Sequence, residues 1–106
     1  MRILLIILLI GNTTAVFAQT QIKGTVKDVN GNTIPGANVY VKGGFDGSTT
    51  DANGAFEFKT DMTGNQILVV SFIGFETFEK AVLLQGQTIS ETIVLKETAS
   101  QIDLIS

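Results

Sequence analysis

The chain is 106 residues long, with seven Lys plus Arg against ten Asp plus Glu, no His, no Cys and 44% hydrophobic residues. A net charge of −3 argues against a phosphate backbone as partner, because nucleic-acid affinity rests on clustered Lys and Arg. Without Cys there is neither a disulfide staple nor a lipid-modified cysteine, so an exported domain of this size must be held by packing, and without His or Cys the usual transition-metal ligands are missing.

Met1-Arg2 carries one positive charge, residues 3–10 are an unbroken apolar run, and Gly11-Asn12-Thr13-Thr14 leads into Ala15-Val16-Phe17-Ala18. Charge, apolar run and small residues in that order predict a secretory signal over residues 1–18, cleaved after Ala18. The run is too short for a membrane span, which takes roughly 20 apolar residues. The 88 residues that remain suffice for one domain and are expected to cross no membrane.

From Gln21 onward no segment has a helical period, whereas several alternate in polarity between Gly, Asn and Asp clusters, the mark of strands. Residues 21–28 place Ile22, Gly24 and Val26 on one face and Lys23, Thr25 and Lys27 on the other. Asp28-Val29-Asn30-Gly31-Asn32 carries an Asn-Gly turn signal, since Asn30 and Gly31 tolerate positive φ. Ile34-Pro35-Gly36 reads as a type II turn, Pro35 presetting φ and Gly36 accepting a positive one. A strand over 37–42 turns Ala37, Val39 and Val41 inward and Asn38, Tyr40 and Lys42 outward.

Gly43-Gly44-Phe45-Asp46-Gly47 reads as a loop, residues 48–50 as one arm of a hairpin, Asp51-Ala52-Asn53-Gly54 as its turn, and 55–59 as the returning arm with Phe56 and Phe58 inside. Residues 66–73 are apolar on both faces, which fits a central strand covered on both sides. Gly74 breaks the run, 75–82 alternates again without showing which face is inward, and 88–95 aligns Ile89, Ile93 and Leu95 with Glu91 as the exception. Six or seven short strands with a turn every 8 to 12 residues predict an all-β sandwich. Residues 97–106 read as a tail.

The two acidic turns do not make calcium loops. An EF-hand needs Gly at position 6 and Glu at 12, where the first turn offers Thr33 and Val39 and the second Phe56 and Met62. No nucleophile and base can be paired without His or Cys, and Glu76, Glu79 and Glu91 are expected to be solvated on alternating strands. No catalytic residue, metal ligand or cofactor site is therefore expected. Most aromatics fall at core positions. Phe45 is the exception, set in a glycine-rich loop with no strand neighbour to bury it, and with Tyr40 it forms the candidate contact pair.

The run from Gly24 to Gly43, with Asn30-Gly31 and Pro35-Gly36, resembles the opening of the carboxypeptidase-regulatory-like domain. Its continuation through Asp51-Ala52-Asn53-Gly54-Ala55-Phe56 and Val69-Val70-Ser71-Phe72-Ile73-Gly74-Phe75 is similar to the version at the N-terminus of SusC-like TonB-dependent receptors of Bacteroidetes. The resemblance covers residues 21–95. It implies a seven-stranded transthyretin-like (prealbumin-like) β-sandwich over residues 19–96, set in the periplasm and associated with the outer membrane. It implies, too, that 97–106 is a linker or the start of a TonB-box segment, with uptake of glycans or peptides carried by a plug and barrel outside these residues. The partners implied are proteins of the periplasm: the receptor's own plug and barrel, or components of the TonB system. Phe45-Asp46 departs from the small hydroxylated residues usual in that loop, and the family supplies no catalytic or ligand residues. A stand-alone carbohydrate- or surface-binding module and an accessory domain of an exported peptidase are the rival readings.

Overall fold

The structure, a computed structural model, describes residues 19–98. The expected leader, residues 1–18, and most of the expected tail, 99–106, lie outside the described residues. Seven strands follow in chain order: β1 (Thr20–Asp28), β2 (Asn38–Val41), β3 (Gly47–Thr49), β4 (Ala55–Thr60), β5 (Gly64–Ser71), β6 (Phe78–Leu84) and β7 (Thr88–Leu95). They build a three-stranded sheet in the order β4-β1-β7 and a four-stranded sheet in the order β3-β2-β5-β6. Neighbouring strands are antiparallel except the first and last, β1 and β7, which run parallel from Gln21↔Thr88 to Asp28↔Leu95. This is the seven-stranded transthyretin-like sandwich.

Alternation decides what fills the space between the sheets. Ile22 and Val26 of β1, Phe56 and Phe58 of β4, and Ile93 and Leu95 of β7 are buried from one side. Val39 and Val41 of β2, Leu68 and Val70 of β5, and Val82 and Leu84 of β6 are buried from the other. Each such side chain contributes about 1.5–3 kcal/mol on leaving water, which is how a chain without disulfides is held. Gly24 lies in the same inward row, opposite Phe56 on one side and Glu91 on the other. A Cβ there would stand 1.8 Å from the Glu91 carbonyl oxygen, so β7 approaches β1 closely only because residue 24 has no side chain.

Four expectations need correction. Residues 48–50 and 55–59 are not two arms of one hairpin: β3 pairs with β2 and β4 with β1, so Asp51–Gly54 is a corner that carries the chain from one sheet to the other. The fifth strand ends at Ser71, with Phe72 to Gly74 in a turn. It is central in its sheet, but its outward face is the outside of the sandwich. Val69 on that face is only 2% exposed, because its register partners Tyr40 and Glu79 flank it and Lys42 reaches Glu79 across the strand at 3.6 Å.

The sixth strand begins at Phe78, later than the alternation from residue 75 suggests, and its inward face carries Phe78, Lys80, Val82 and Leu84. Phe75 and Glu76 are held back by the chain leaving β7: Phe75 bridges Glu97, the Glu76 N–H donates to Lys96 O at 2.7 Å, and the Thr98 N–H donates to Gly74 O at 3.0 Å. This pairing runs as far as Thr98. Lastly, Glu91 is not a solvated strand carboxylate. Its side chain is 16% exposed and takes two contacts from Lys80 Nζ, at 2.9 and 3.0 Å. Since β6 and β7 are the outer strands of opposite sheets, this ion pair ties the sheets together along one flank.

Candidate interaction surface

The acidic turns use their carboxylates on their own backbone. Asp28 Oδ1 accepts from the N–H groups of Asn30 and Asn32, both at 2.9 Å. Asp51 Oδ1 does the same for Asn53 at 2.8 Å and Ala55 at 2.9 Å. Asp is favoured at such places because its side chain imitates a turn. Gly31 at φ +88° and Gly54 at φ +75° supply the left-handed residue in each. Gly54 is also wedged against β1, where a Cβ would meet Val26 O at 2.7 Å. No group of three or more His, Cys, Asp or Glu able to hold a metal ion occurs among the described residues.

The Asn32 N–H first, with further backbone donors from Asn30 and Gly31, holds the Asp28 carboxyl below the usual carboxylate range. A carboxyl depressed on folding contributes stability above its unfolded pKa of about 3.9 and loses it as pH falls through the lower folded value. Thermal melts of the wild type and Asp28→Ala should therefore differ at neutral pH and draw together in acid, as the pH falls through the lowered folded value. A gap that persists in acid would assign the effect to turn shape and not to charge.

Gly36, at φ +83°, takes the position a type II turn requires after Pro35. That turn is closed by a residue from elsewhere. Thr50, 5% exposed, accepts from the Ala37 N–H at 2.8 Å and donates to Ile34 O at 2.6 Å through one hydroxyl. Its backbone oxygen accepts from the Gly36 N–H at 3.0 Å. Thr50 carries no sequence signal beyond belonging to a hydroxyl-rich stretch. Gly74, at φ +88°, forms the turn that presents Ile73, a residue 88% exposed. The contact potential of Ile73 is hidden in sequence by its place at the end of an apolar run, although the glycine beside it is the same signal that marks Phe45.

Phe45 is fully exposed in the loop between β2 and β3, and Tyr40 is 38% exposed on the outward face of β2. Both line one shallow concavity on the four-stranded sheet, with Asn38, Ser48, Thr49 and Ser71. The structure thus brings together the two aromatics singled out in sequence. Other exposed apolar residues lie elsewhere, Val29 beside the Asp28 turn and Leu83 and Val94 on the outer strands.

A family model described as CarboxypepD_reg-like domain matches residues 22–105. A TonB-dependent receptor SusC of Bacteroides thetaiotaomicron is 41% identical over 81 residues, which is 74% of this chain and 8% of that protein. A TonB-dependent receptor of Formosa agariphila is 42% identical over 62 residues, 58% of this chain and 6% of that protein. The chain thus spans less than a tenth of the length of either receptor. Among solved structures, a type II cohesin–X-dockerin complex of Acetivibrio cellulolyticus aligns with a TM-score of 0.64 at 23% identity, covering 74% of this chain and 58% of that one. This last likeness concerns the fold.

Proposed function

Because this chain belongs to the CarboxypepD_reg-like domain family, we propose that it is the non-catalytic, periplasmic N-terminal extension of a TonB-dependent outer-membrane receptor and works through protein contacts. The observation that carries this reading is the 41% identity to a TonB-dependent receptor over 74% of the chain. The apolar leader of residues 1–18 supports export, and the clamp between Gly74–Glu76 and Lys96–Thr98 supports a fixed direction of exit toward a following segment. The turn residues Asn30, Gly31, Pro35, Gly36, Asp51, Asn53, Gly54 and Gly74 serve the scaffold. The flank formed by β6 and β7 offers two outer strands of seven and eight residues, edges to which an extended partner segment can add.

The test has two parts. The reading frame followed past Ser106 should continue into a plug and a barrel. In the resulting full-length receptor, removal of residues 19–98 should leave the barrel in the outer membrane while lowering substrate uptake or partner co-purification. A frame that continues into a peptidase, or a deletion that changes neither uptake nor partners, would overturn the reading.

A further inference from the structure

We propose that Asn30 is a site of spontaneous covalent modification in the folded domain, losing its side-chain amide through a succinimide closed by the Gly31 nitrogen, while the same dipeptide at Asn53-Gly54 is held inert by packing. The two Asn-Gly pairs of the sequence sit in turns built alike. In each, an Asp two residues earlier accepts from the Asn N–H, at 2.9 Å for Asp28 and 2.8 Å for Asp51. In each, the Gly N–H donates to the backbone oxygen of that Asp, at 3.0 Å from Gly31 and 2.9 Å from Gly54. Both Asn residues are exposed, so sequence and local hydrogen bonding do not tell the pairs apart. Their surroundings do. Gly31 is exposed, and a Cβ built there would find nothing within 4 Å. Gly54 is buried, and a Cβ there would meet Val26 O at 2.7 Å, Thr33 Cβ at 2.9 Å and Ile34 N at 3.3 Å. Its carbonyl oxygen accepts from the Val26 N–H at 2.8 Å, and Ala55 after it is in register with Thr25 of β1.

The reaction needs no co-reactant but water. The Gly31 nitrogen forms a bond to Asn30 Cγ, its proton passes through solvent to the amide nitrogen, the Cγ–Nδ2 bond breaks and ammonia leaves. Water then opens the ring, at Cγ to give aspartate or at the main-chain carbonyl carbon to give isoaspartate, in which the chain runs through the former side chain. A glycine favours the attack because it has no Cβ to shield its nitrogen. Ring closure also requires the peptide after the Asn to turn about the Asn Cα–C bond. At Gly31 that rotation gives up one exposed hydrogen bond to Asp28 O, whereas at Gly54 it pulls a wedged residue away from β1 and so waits on local opening of the sandwich. The product puts a carboxylate in place of a neutral amide in the cleft that Asn30 shares with Asp28, Lys96 and Glu97, which changes the charge at the pole where the chain leaves β7. The isoaspartyl form also lengthens the main chain inside the loop that Asp28 N–H closes on Asn32 O at 2.8 Å. None of this depends on the receptor reading.

The test is peptide mapping of the chain by mass spectrometry after incubation at mildly alkaline pH, folded in one arm and unfolded in guanidinium chloride in the other, with isoaspartate counted by enzymatic methyl transfer. The expected result is deamidation at Asn30 at least about tenfold faster than at Asn53 in the folded arm, equivalent to about 1.4 kcal/mol of added barrier at Asn53, and similar rates at the two sites in the unfolded arm. Asn30→Gln, a change at an exposed position, should remove most of the acidic species that isoelectric focusing resolves from the aged folded chain. The proposal is overturned by any of three results: equal rates at the two sites in the folded arm, an Asn30 that reacts only when the chain is unfolded, or an acidic species undiminished in Asn30→Gln.

Discussion

Replacing Gly24 by Ala is expected to destabilise the domain by at least about 3 kcal/mol, the upper range for forcing atoms into a filled core. The obstacle is backbone and not a movable side chain: the new Cβ would lie 1.8 Å from Glu91 O and 2.8 Å from its carbonyl carbon. Relief requires β7 to move off β1, and β7 is held along eight register pairs. It would also disturb the inward-facing Glu91, whose charge is tolerated between the sheets because Lys80 meets it. A domain of this size has a total stability of only about 4–12 kcal/mol, so the variant should melt far below the wild type or fail to fold. Thr25→Ala, next in the chain but facing away from the core, should cost under about 1 kcal/mol. Equal denaturation midpoints for Gly24→Ala and the wild type would refute the close parallel approach of β1 and β7.

The second large effect is expected at Thr50. Thr50→Val keeps the shape of the side chain and removes its hydroxyl, leaving the Ala37 N–H and the Ile34 carbonyl without the partner each has in a buried position. An unsatisfied buried polar group costs about 1–3 kcal/mol, so the pair should lower stability by roughly 2–4 kcal/mol, whereas Thr50→Ser, which keeps the oxygen, should cost about 1 kcal/mol or less. Urea denaturation separates the outcomes, and equal losses for Val and Ser would show that methyl packing and not the hydroxyl relay holds the Ile34–Ala37 turn.

What could be read from the chain was local. The inward residues of β1, β2, β4 and β7 follow from alternation, and the turns at Asp28, Pro35 and Asp51 follow from residues that tolerate or imitate turn geometry. Sheet membership was not legible. Asp51-Ala52-Asn53-Gly54 makes the same local hydrogen bonds whether the chain returns beside itself or crosses to the other sheet, and only the pairing of β4 with β1 decides it. Glu91 was misread for the same reason, since its place between the sheets depends on Lys80 in a strand of the opposite layer. The end of β5 was missed because Phe72 and Ile73 continue an apolar pattern while the backbone is already turning toward Gly74. Of the candidate surface, Phe45 was legible from its glycine neighbours, but the polar row at Ser71, Asn38 and Thr49 exists only through register.

The parallel pairing of the first and last strands has a mechanical consequence. Gln21 lies beside Thr88 at one end of the sandwich and Asp28 beside Leu95 at the other, so the described chain enters at one pole and leaves at the opposite one. A pull applied between the two ends runs along β1 and β7 in opposite senses and loads all eight register pairs together in shear, instead of peeling them one at a time. Resistance to such a pull is set by the rate of unfolding and not by equilibrium stability, and in this domain that rate is tied to the closeness that Gly24 permits.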